Sequence, residues 1–398
     1  MLGKNFILPD YNGRNFINVI NSIKEIYGIN EGQGIRDKKA LKLINNPSKV
    51  VFILVDAFGW DFYEKVKKNS SFLKKIKRNG AETKITSQFP STTTAHVTSV
   101  ATGESVGKHG FFEWFTYDPE LDEVFTPFIY NYEGVENILP KESLFRKLQD
   151  KGVRSTIISP SYINNSSYSR IMFKDGKVKG YDSVDEMFEI LINSLSKDKG
   201  KNFYYLYYPN IDSSGHQYGM SSYQAQGEIS KFIKTLDKYF NSETINEIKD
   251  TLFIMTADHG QMEIDMDRVV YINELVPDID KYMILKSDGR PIVPVGYNRD
   301  MFLYIKEENL KEIKKILEEK LKGKAEVYLT KELIELGLFG EISEELSKRV
   351  GNLIILSYDK IGVWWYDRGI SEISQKGSHG GLTRKEMEIP LLMYNFDK

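Results

Sequence analysis

The chain has 398 residues, of which 41% are hydrophobic and 28% are charged, and its 54 Lys and Arg nearly balance 56 Asp and Glu for a formal charge of −2. This composition is typical of a folded globular protein and excludes extensive disorder. The small net charge excludes a global basic field, so we expect no stable nucleic-acid complex. The chain contains no cysteine, which excludes disulfides, thiol nucleophiles and cysteine-ligated metals.

The first residues, Met1 to Asn5, contain no apolar signal core. No run approaches the ~20 apolar residues that a membrane-spanning helix requires. We therefore expect a soluble cytoplasmic protein without a membrane partner. The sequence does not predict the oligomeric state.

The first two thirds of the chain alternate strand and helix patterns. A continuous apolar run over 49–55 ends at Asp56, as is typical of a strand covered on both faces of a parallel sheet. Helical spacing follows over 60–78. Further strand patterns lie at 155–158, 203–208 and 251–256, separated by helical patterns at 143–150, 183–197 and 222–241. The alternation predicts an α/β fold with a mostly parallel central sheet sandwiched by helices.

The pattern changes over 266–360, where short apolar runs flank a helical pattern rich in Lys and Glu at 307–322. We predict that this segment is a small α+β cap insertion. Residues 1–265 and 361–398 then form the α/β core, which ends in an apolar strand at 389–393.

Carboxylates and histidines follow the predicted strands. The residues are Asp56 after the first strand, Asp212 and His216 after 203–208, Asp258 and His259 after 251–256, and His379 in a glycine-rich loop. Each alone is as well explained by a hydrogen bond or a helix cap. Together they meet at the carboxyl ends of parallel strands, where ligands bind in such sheets. Oxygen and nitrogen donors without sulfur suit zinc or manganese, and this number of ligands is enough for two ions.

A row of hydroxyls offers a nucleophile. The four hydroxyls lie around the start of a predicted helix that begins near Thr93, and they belong to Ser91, Thr92, Thr93 and Thr94. A hydroxyl at the positive end of a helix is a favourable place for an alkoxide and a phosphate. Helix capping is the competing explanation for any one of these residues. Two metal ions and a hydroxyl could together displace an ester from phosphorus.

These segments resemble the metal and nucleophile motifs of the alkaline phosphatase superfamily, and within it the nucleotide pyrophosphatase/phosphodiesterase branch. The motifs are Val55-Asp56-Ala57-Phe58-Gly59, Phe89-Pro90-Ser91-Thr92-Thr93-Thr94 running on to Thr102-Gly103, Asp212-Ser213-Ser214-Gly215-His216, Ala257-Asp258-His259-Gly260 and Ser378-His379-Gly380-Gly381. They occur in the family's order. Five ordered motifs carry much more weight than any single one.

The resemblance implies a role for each motif residue. Asp212, His216 and His379 would hold one zinc ion, and Asp56, Asp258 and His259 would hold the second together with the nucleophile oxygen. In the branch the nucleophilic Thr lies ten residues before the Gly of a Thr-Gly pair. That Gly is Gly103 here, which indicates Thr93 as the nucleophile, with Thr92 as the alternative.

One departure from the family concerns the phosphate. The branch usually supplies an Asn shortly after a His-Gly pair to hold a phosphate oxygen. Here His109-Gly110 is followed by Phe111-Phe112-Glu113-Trp114-Phe115, with no Asn. Either another group holds that oxygen or the substrate differs.

The function expected from the resemblance is hydrolysis of a small phosphodiester or nucleotide through a covalent phosphothreonine, with two divalent ions, zinc or alternatively manganese. The alternatives on the same fold are a phosphomonoesterase, a phosphonate hydrolase, a phosphosugar mutase or a non-catalytic metal-binding relative. Between Arg78 and Arg146 the chain has no arginine that could clamp a monoester dianion, which favours diesters. Arg290 or Arg299 of the cap could still fold over the site.

Overall fold

A seven-stranded sheet forms the centre of the computed structural model, which describes residues 3, 5–129, 134–241, 248–367 and 372–396. In chain order the strands are β1 (Lys49–Val55), β2 (Ala81–Thr86), β3 (Thr116–Asp118), β4 (Glu123–Phe125), β5 (Arg154–Pro160), β6 (Lys177–Tyr181), β7 (Asn202–Tyr208), β8 (Thr251–Thr256), β9 (Met262–Glu263), β10 (Val270–Tyr271), β11 (Val295–Gly296), β12 (Asp300–Leu303), β13 (Ala325–Leu329), β14 (Leu353–Ser357), β15 (Val363–Trp364), β16 (Gly377–Ser378) and β17 (Glu388–Asn395). The α-helices are α1 (Phe16–Ile26), α2 (Lys38–Leu43), α3 (Trp60–Val66), α4 (Ser71–Asn79), α5 (Thr93–Thr102), α6 (Val106–His109), α7 (Val135–Ile138), α8 (Leu144–Asp150), α9 (Ser167–Met172), α10 (Val184–Lys197), α11 (Asn210–Tyr218), α12 (Tyr223–Phe240), α13 (Ile272–Leu275), α14 (Leu310–Lys320), α15 (Thr330–Glu335), α16 (Glu344–Arg349) and α17 (Arg384–Met387).

The strand order in the central sheet is β2-β17-β8-β1-β7-β5-β6. The five strands from β8 to β6 pair in parallel, whereas β17 is antiparallel to both of its neighbours. In β1 every residue from Val50 to Val55 is fully buried, as the continuous apolar run indicated. The predicted α/β fold with a mostly parallel sheet flanked by helices is confirmed.

The predicted continuous helix over 60–78 is wrong, because the chain forms two helices there, α3 and α4. The side chain of Ser70 accepts a hydrogen bond from the amide of Leu73 and so caps a new helix. The Asp237 carboxylate accepts from the Ser70 hydroxyl and the Phe72 amide, which fixes this helix start against α12. The apolar spacing continues across the break, so periodicity alone did not reveal it.

A four-stranded antiparallel sheet, in the order β11-β12-β14-β13, lies within the predicted insertion. Alternate residues of β14 face opposite sides. Leu353 and Ile355 share a core with α14, while Ile354 and Leu356 pack in a second core with Phe112. The small sheet therefore supports the loop that follows the predicted nucleophile. The division of the chain at 266 and 360 stays a prediction.

No helix in the described part of the chain is both long enough and apolar enough to cross a membrane.

A buried ion pair ties the small sheet to the return of the chain into the core. The Arg299 guanidinium donates to both carboxylate oxygens of Glu386, at 2.8 and 3.1 Å, and both side chains are fully buried. We predict that Glu386→Gln lowers the free energy of unfolding by about 3–5 kcal/mol, because it leaves a buried guanidinium without its counter-charge. Urea unfolding measures the change. The control is Arg290→Gln, which breaks an exposed pair with Asp288. An equal effect of the two variants would contradict the prediction.

Candidate active site

The predicted site residues converge at one edge of the central sheet. β8, β1 and β7 are adjacent, and their register aligns Leu54 with Thr256 and Val55 with Tyr208. Asp56 follows β1 directly, Asp258 follows β8, and α11 begins straight after β7 and carries Asp212. The carboxyl ends of three neighbouring strands therefore bring the three carboxylates together.

The first group contains Asp212, His216 and His379. The His216 Nε2 atom lies 3.2 Å from Asp212 Oδ2 and 3.2 Å from His379 Nε2. The His379 Nε2 atom lies 3.6 Å from Asp212 Oδ1. Asp212 and His216 are one helical turn apart on α11, so they point to the same side. His379 arrives from β16, which pairs with β9.

The second group contains Asp56, Asp258, His259 and Thr93. The His259 Nε2 atom is 3.5 Å from Asp56 Oδ1 and 3.5 Å from Asp258 Oδ2. The ring of His259 stacks on that of His379 with centroids 3.7 Å apart. By distance alone His259 can serve either group, since it also lies close to Asp212 and His379.

The three histidines share one orientation. The Nδ1 atom of His216 lies 2.7 Å from the carbonyl oxygen of Gly377, that of His379 lies 3.1 Å from the carbonyl of Ser91, and that of His259 lies 3.0 Å from its neighbour's carbonyl. A carbonyl only accepts, so Nδ1 carries the proton. The Nε2 lone pairs then face the carboxylates, which is the arrangement found in metal-binding histidines.

The electrostatics of the cluster favour a bound cation. Asp56 and Asp258 are buried, and Asp258 Oδ2 has no hydrogen-bond partner. Burial, followed by the charge of Asp258, raises the pKa of Asp56 well above its ordinary range, and burial raises the pKa of Asp258 to about 7. A buried carboxylate without a partner is costly, so the residues present fit divalent ions.

Asp212 and His216 of the first group shift each other's pKa values in opposite directions. Burial opposes the charge on Asp212, but the nearby His216 outweighs it and lowers the pKa of the carboxyl. Burial likewise opposes protonation of His216, and the Asp212 carboxylate outweighs it and raises the pKa of the imidazole. Burial lowers the pKa of His259 and His379 well below the ordinary value. These two imidazole rings are therefore neutral at pH 7, and each can offer its Nε2 lone pair to a metal ion.

Thr93 and Thr92 have separate positions at the start of α5. The Thr92 hydroxyl donates to the carbonyl of Phe112 and accepts from the amide of Ala95, so it caps the helix. The Thr93 hydroxyl does not cap the helix. Its oxygen lies 3.4 Å from both Asp56 oxygens and 3.2 Å from His259 Nε2. The structure therefore places Thr93, and not Thr92, against the second group.

A cavity of about 580 Å³ opens beside Thr93 and both groups. Within the described part of the chain, neither Lys nor Arg lines it, and its acidic lining residues are Asp56, Glu113 and Asp212. The two arginines that could have reached the site lie elsewhere. Arg299 is paired with Glu386, and Arg290 is exposed beside Asp288.

Two residues near the site had no signal that we recognised in the sequence. The Tyr207 hydroxyl donates to Asp56 Oδ2 at 2.5 Å, and the Gln261 amide donates to Asp212 Oδ1 at 2.7 Å. Gln261 is buried so tightly that a Cβ on Gly215 or Gly377 would collide with its Oε1 atom. The position of Tyr207 could have identified it as a neighbour of Asp56, because Tyr207 lies one residue before the end of β7 and β7 is adjacent to β1, which Asp56 follows.

The remaining histidines and aromatic residues are mostly structural. His96 and His109 are buried and hydrogen-bonded to backbone groups, and burial lowers the pKa of each to about 3. Phe111 and Phe112 belong to the core. Trp114, in the segment after His109-Gly110 that contains no Asn, lines the cavity and is 40% exposed.

The type I phosphodiesterase/nucleotide pyrophosphatase family model matches residues 50–382, which include all five motifs. The chain belongs to this family. Membership confirms the predicted superfamily and branch, and with them the class of hydrolase acting on phosphoric ester or phosphoanhydride bonds. It does not decide the substrate or the mechanism.

Individual relatives are distant. Bis(5'-adenosyl)-triphosphatase enpp4 of Xenopus laevis is 23% identical over 264 residues, which are 64% of this chain and 56% of the relative, so the match spans about half of that protein. Murine ectonucleotide pyrophosphatase/phosphodiesterase 5 superposes with a TM-score of 0.66 at 18% identity, covering 87% of this chain and 88% of its own. Phosphonoacetate hydrolase from Sinorhizobium meliloti 1021 gives 0.65 at 17% identity, covering 88% and 90%. The structural similarities establish a shared fold.

We predict that divalent metal stabilises the protein more at pH 8 than at pH 5.5. The folded-state pKa of Asp258 is about 7, above the unfolded value of ~3.9, so its stabilising contribution is complete at low pH and is lost as the pH rises through 7. An ion relieves that loss at pH 8, but at pH 5.5 it must first displace the proton. Each displaced proton weakens the apparent affinity about tenfold per pH unit.

The measurement is the melting temperature of chelator-treated protein with and without excess Zn²⁺ at the two pH values. Asp258→Asn, which keeps the shape but does not titrate, should reduce the difference between them. A metal-induced shift that is equal at both pH values, or larger at pH 5.5, would contradict the prediction.

Proposed function

We propose that the protein is a two-metal phosphodiesterase or nucleotide pyrophosphatase that acts through a covalent phosphothreonine on Thr93. Asp212, His216 and His379 would hold one zinc or manganese ion, and Asp56, Asp258, His259 and Thr93 the other. Family membership supports phosphodiester or phosphoanhydride hydrolysis, and the name of the Xenopus relative denotes activity on a dinucleoside triphosphate.

The position of Thr93 is the observation on which the proposal rests. Its hydroxyl lies within 3.4 Å of one histidine nitrogen and two carboxylate oxygens, at the first residue of a ten-residue helix, and opens to the cavity. A threonine hydroxyl is a weak nucleophile without activation. Bound divalent ions would supply that activation by lowering the pKa of oxygen nucleophiles and by stabilising the charge on the leaving oxygen.

The chain's own residues then perform two displacements. In the first, Thr93 Oγ1 loses its proton to solvent and forms a bond to phosphorus as the bond to the leaving ester oxygen breaks, and the leaving oxygen takes a proton from solvent to depart as the alcohol. The amide groups at the start of α5 favour the negative charge on the phosphoryl oxygens. In the second, a water oxygen attacks the phosphothreonine and loses a proton to solvent, the bond from phosphorus to Thr93 breaks, the phosphomonoester product leaves, and Thr93 Oγ1 regains a proton from solvent. The half-buried site limits competing water during the first step.

Replacing the nucleophile and its neighbour should separate catalysis from folding. Thr93→Ala is expected to lower kcat by several orders of magnitude with little loss of stability, and Thr93→Ser to retain part of the activity. The control Thr92→Ala removes the helix cap, so it should cost about 1 kcal/mol of stability while turnover stays within about tenfold. Steady-state kinetics and urea unfolding provide the two readouts. Turnover of Thr93→Ala within about tenfold of the parent would overturn the covalent mechanism.

The metal content tests the second part of the proposal. Protein loaded with excess Zn²⁺ or Mn²⁺ and then desalted is expected to retain close to two divalent ions per chain. Asp212→Ala should lose one of them preferentially, because Asp212 lies between both histidines of the first group. Elemental analysis of both proteins, with turnover before and after chelation, makes the measurement. Full activity of protein without any transition metal would contradict the proposal.

The charge of the cavity predicts a preference for diesters over monoesters. A monoester dianion brings one more negative charge than a diester, and the described lining of the cavity contains no Lys or Arg to receive it. Bis(4-nitrophenyl) phosphate and 4-nitrophenyl phosphate have the same leaving group and can be compared at one metal and one pH. We expect a higher kcat/KM for the diester. A tenfold preference for the monoester would place the phosphomonoesterase alternative first.

A further inference from the structure

Two acidic side chains meet beside Gly380, the residue that follows His379. Glu113 lies in the segment after the His-Gly pair that contains no Asn, and Asp300 is the first residue of β12. Both side chains are buried. A Cβ on Gly380 would lie 2.2 Å from Asp300 Oδ1 and 3.1 Å from Glu113 Oε1, so only a glycine leaves room for both carboxyl groups. We call Glu113 and Asp300 the carboxyl pair.

The carboxyl pair has no counter-charge. Within the residues that the structure describes, Glu113 Oε1 and both Asp300 oxygens accept no hydrogen bond from a donor group, and neither side chain forms an ion pair. Glu113 Oε2 accepts from the amide of Trp114 at 2.6 Å. Arg299 is close to Asp300, but it is paired with Glu386, which brings an equal negative charge. Two buried carboxylates in contact are too costly to remain charged together, so the pair binds protons.

The protons of the carboxyl pair can be assigned. Burial raises the pKa of Glu113 to about 8, and burial together with the charge of Glu113 raises the pKa of Asp300 well above its ordinary range. Both groups are therefore protonated in most molecules at pH 7. The hydrogen bond between them raises the pKa of Asp300 and lowers that of Glu113, so Asp300 is its donor. Burial also keeps the nearby Tyr297 phenol neutral by raising its pKa. Glu113 thus retains a proton that it can donate elsewhere.

Glu113 is the member of the pair that reaches the cavity. It lines the cavity together with Thr93 and His379, whereas Asp300 does not. The Thr92 hydroxyl donates to the carbonyl of Phe112, which ties the main chain before Glu113 to the start of α5. The proton of Glu113 therefore lies in the wall of the space that would hold the phosphoryl group.

We propose that Glu113, kept neutral by its contact with Asp300, donates a hydrogen bond to a non-bridging phosphoryl oxygen and so takes the role of the missing Asn. This inference rests on the proposed function and adds a substrate-binding residue to it. A carboxylic acid that an apolar site keeps neutral can stabilise an oxyanion in this way. When Glu113 ionises, the site loses the donor and gains a negative charge that repels the phosphate.

The test compares Glu113→Gln and Glu113→Ala with the parent, using kcat/KM for bis(4-nitrophenyl) phosphate on zinc-loaded protein at pH 7 and pH 9. The Gln side chain is a neutral donor at both pH values, so we expect it to stay within about threefold of the parent at pH 7. Glu113→Ala should be at least tenfold lower there. The parent-to-Gln ratio should fall about tenfold from pH 7 to pH 9, because the protonated fraction of an acid with a pKa of about 8 falls by that factor.

The ratio separates Glu113 from the other titrating groups. Ionisation of the metal groups and of the nucleophile affects the parent and Glu113→Gln alike, so it cancels. The matched control is Glu345→Gln, an exposed residue beside Gly110 and outside the cavity, which should keep the pH dependence of the parent. Melting temperatures at both pH values show whether the variants are folded. If Glu113→Ala does not fold, the ratio between the parent and the isosteric Gln variant decides alone.

A parent-to-Gln ratio that is the same at pH 7 and pH 9, or equal kcat/KM for the Gln and Ala variants at pH 7, would overturn the inference. Failure of the proposed function has a different signature, since the parent would then hydrolyse no diester or Thr93→Ala would be as fast as the parent. In that case calorimetry with dimethyl phosphate on zinc-loaded Thr93→Ala, with and without Glu113→Gln, still tests Glu113. The affinity ratio of these two proteins should show the same tenfold change between pH 7 and pH 9, and a constant ratio would overturn the inference.

Discussion

The accumulation of negative charge at one edge of the central sheet constrains the rest of the structure. Asp56, Asp212 and Asp258 lie together, and no Lys or Arg in the described lining of the cavity offsets them. Such a cluster is neutralised either by protons or by bound cations. The raised pKa values of Asp56 and Asp258 show the first response, which fails as the pH rises. Three imidazole nitrogens also face the carboxylates, and nitrogen and oxygen ligands together bind divalent cations. At neutral pH the cluster is therefore better neutralised by bound cations than by protons.

The scaffold holds each carboxylate by one oxygen and leaves the other for the cluster. Tyr207 donates to Asp56 Oδ2, Gln261 donates to Asp212 Oδ1, and the amides of Ala57 and His259 donate to Asp258 Oδ1. The donors come from the ends of β1, β7 and β8 and the turns that follow them, where ligands bind in parallel sheets. A ligand set arranged in this way needs little rearrangement to receive an ion. Because Thr92 caps α5, the Thr93 hydroxyl is not needed for capping and contacts Asp56 and His259 instead.

The parts of the fold and the site that follow from local sequence patterns were predictable, and the parts that depend on long-range contacts were not. The strand over 49–55 was predictable because a parallel strand is apolar on both faces, and the motif residues were predictable because they follow such strands. The break at Ser70 was not, since it depends on a long-range contact with Asp237. The aromatic residues after His109 have different surroundings in the structure. Phe111 packs in the main core, Phe112 packs against the small sheet, and Trp114 lines the cavity, a division that depends on tertiary packing.

The charge constraint extends to the substrate. In the proposed holoenzyme, two divalent ions would bring four positive charges to three carboxylates, and the histidines would be neutral. Deprotonation of Thr93 would offset the remaining positive charge, so that a phosphodiester monoanion would add one negative charge to the site and a monoester dianion would add two. Enzymes that accept dianions usually add an arginine fork, but Arg299 and Arg290 of the predicted cap are paired with Glu386 and Asp288. The segment Phe111 to Phe115 after His109-Gly110 contains no Asn that could hold a phosphate oxygen, and Trp114 of that segment lines the cavity.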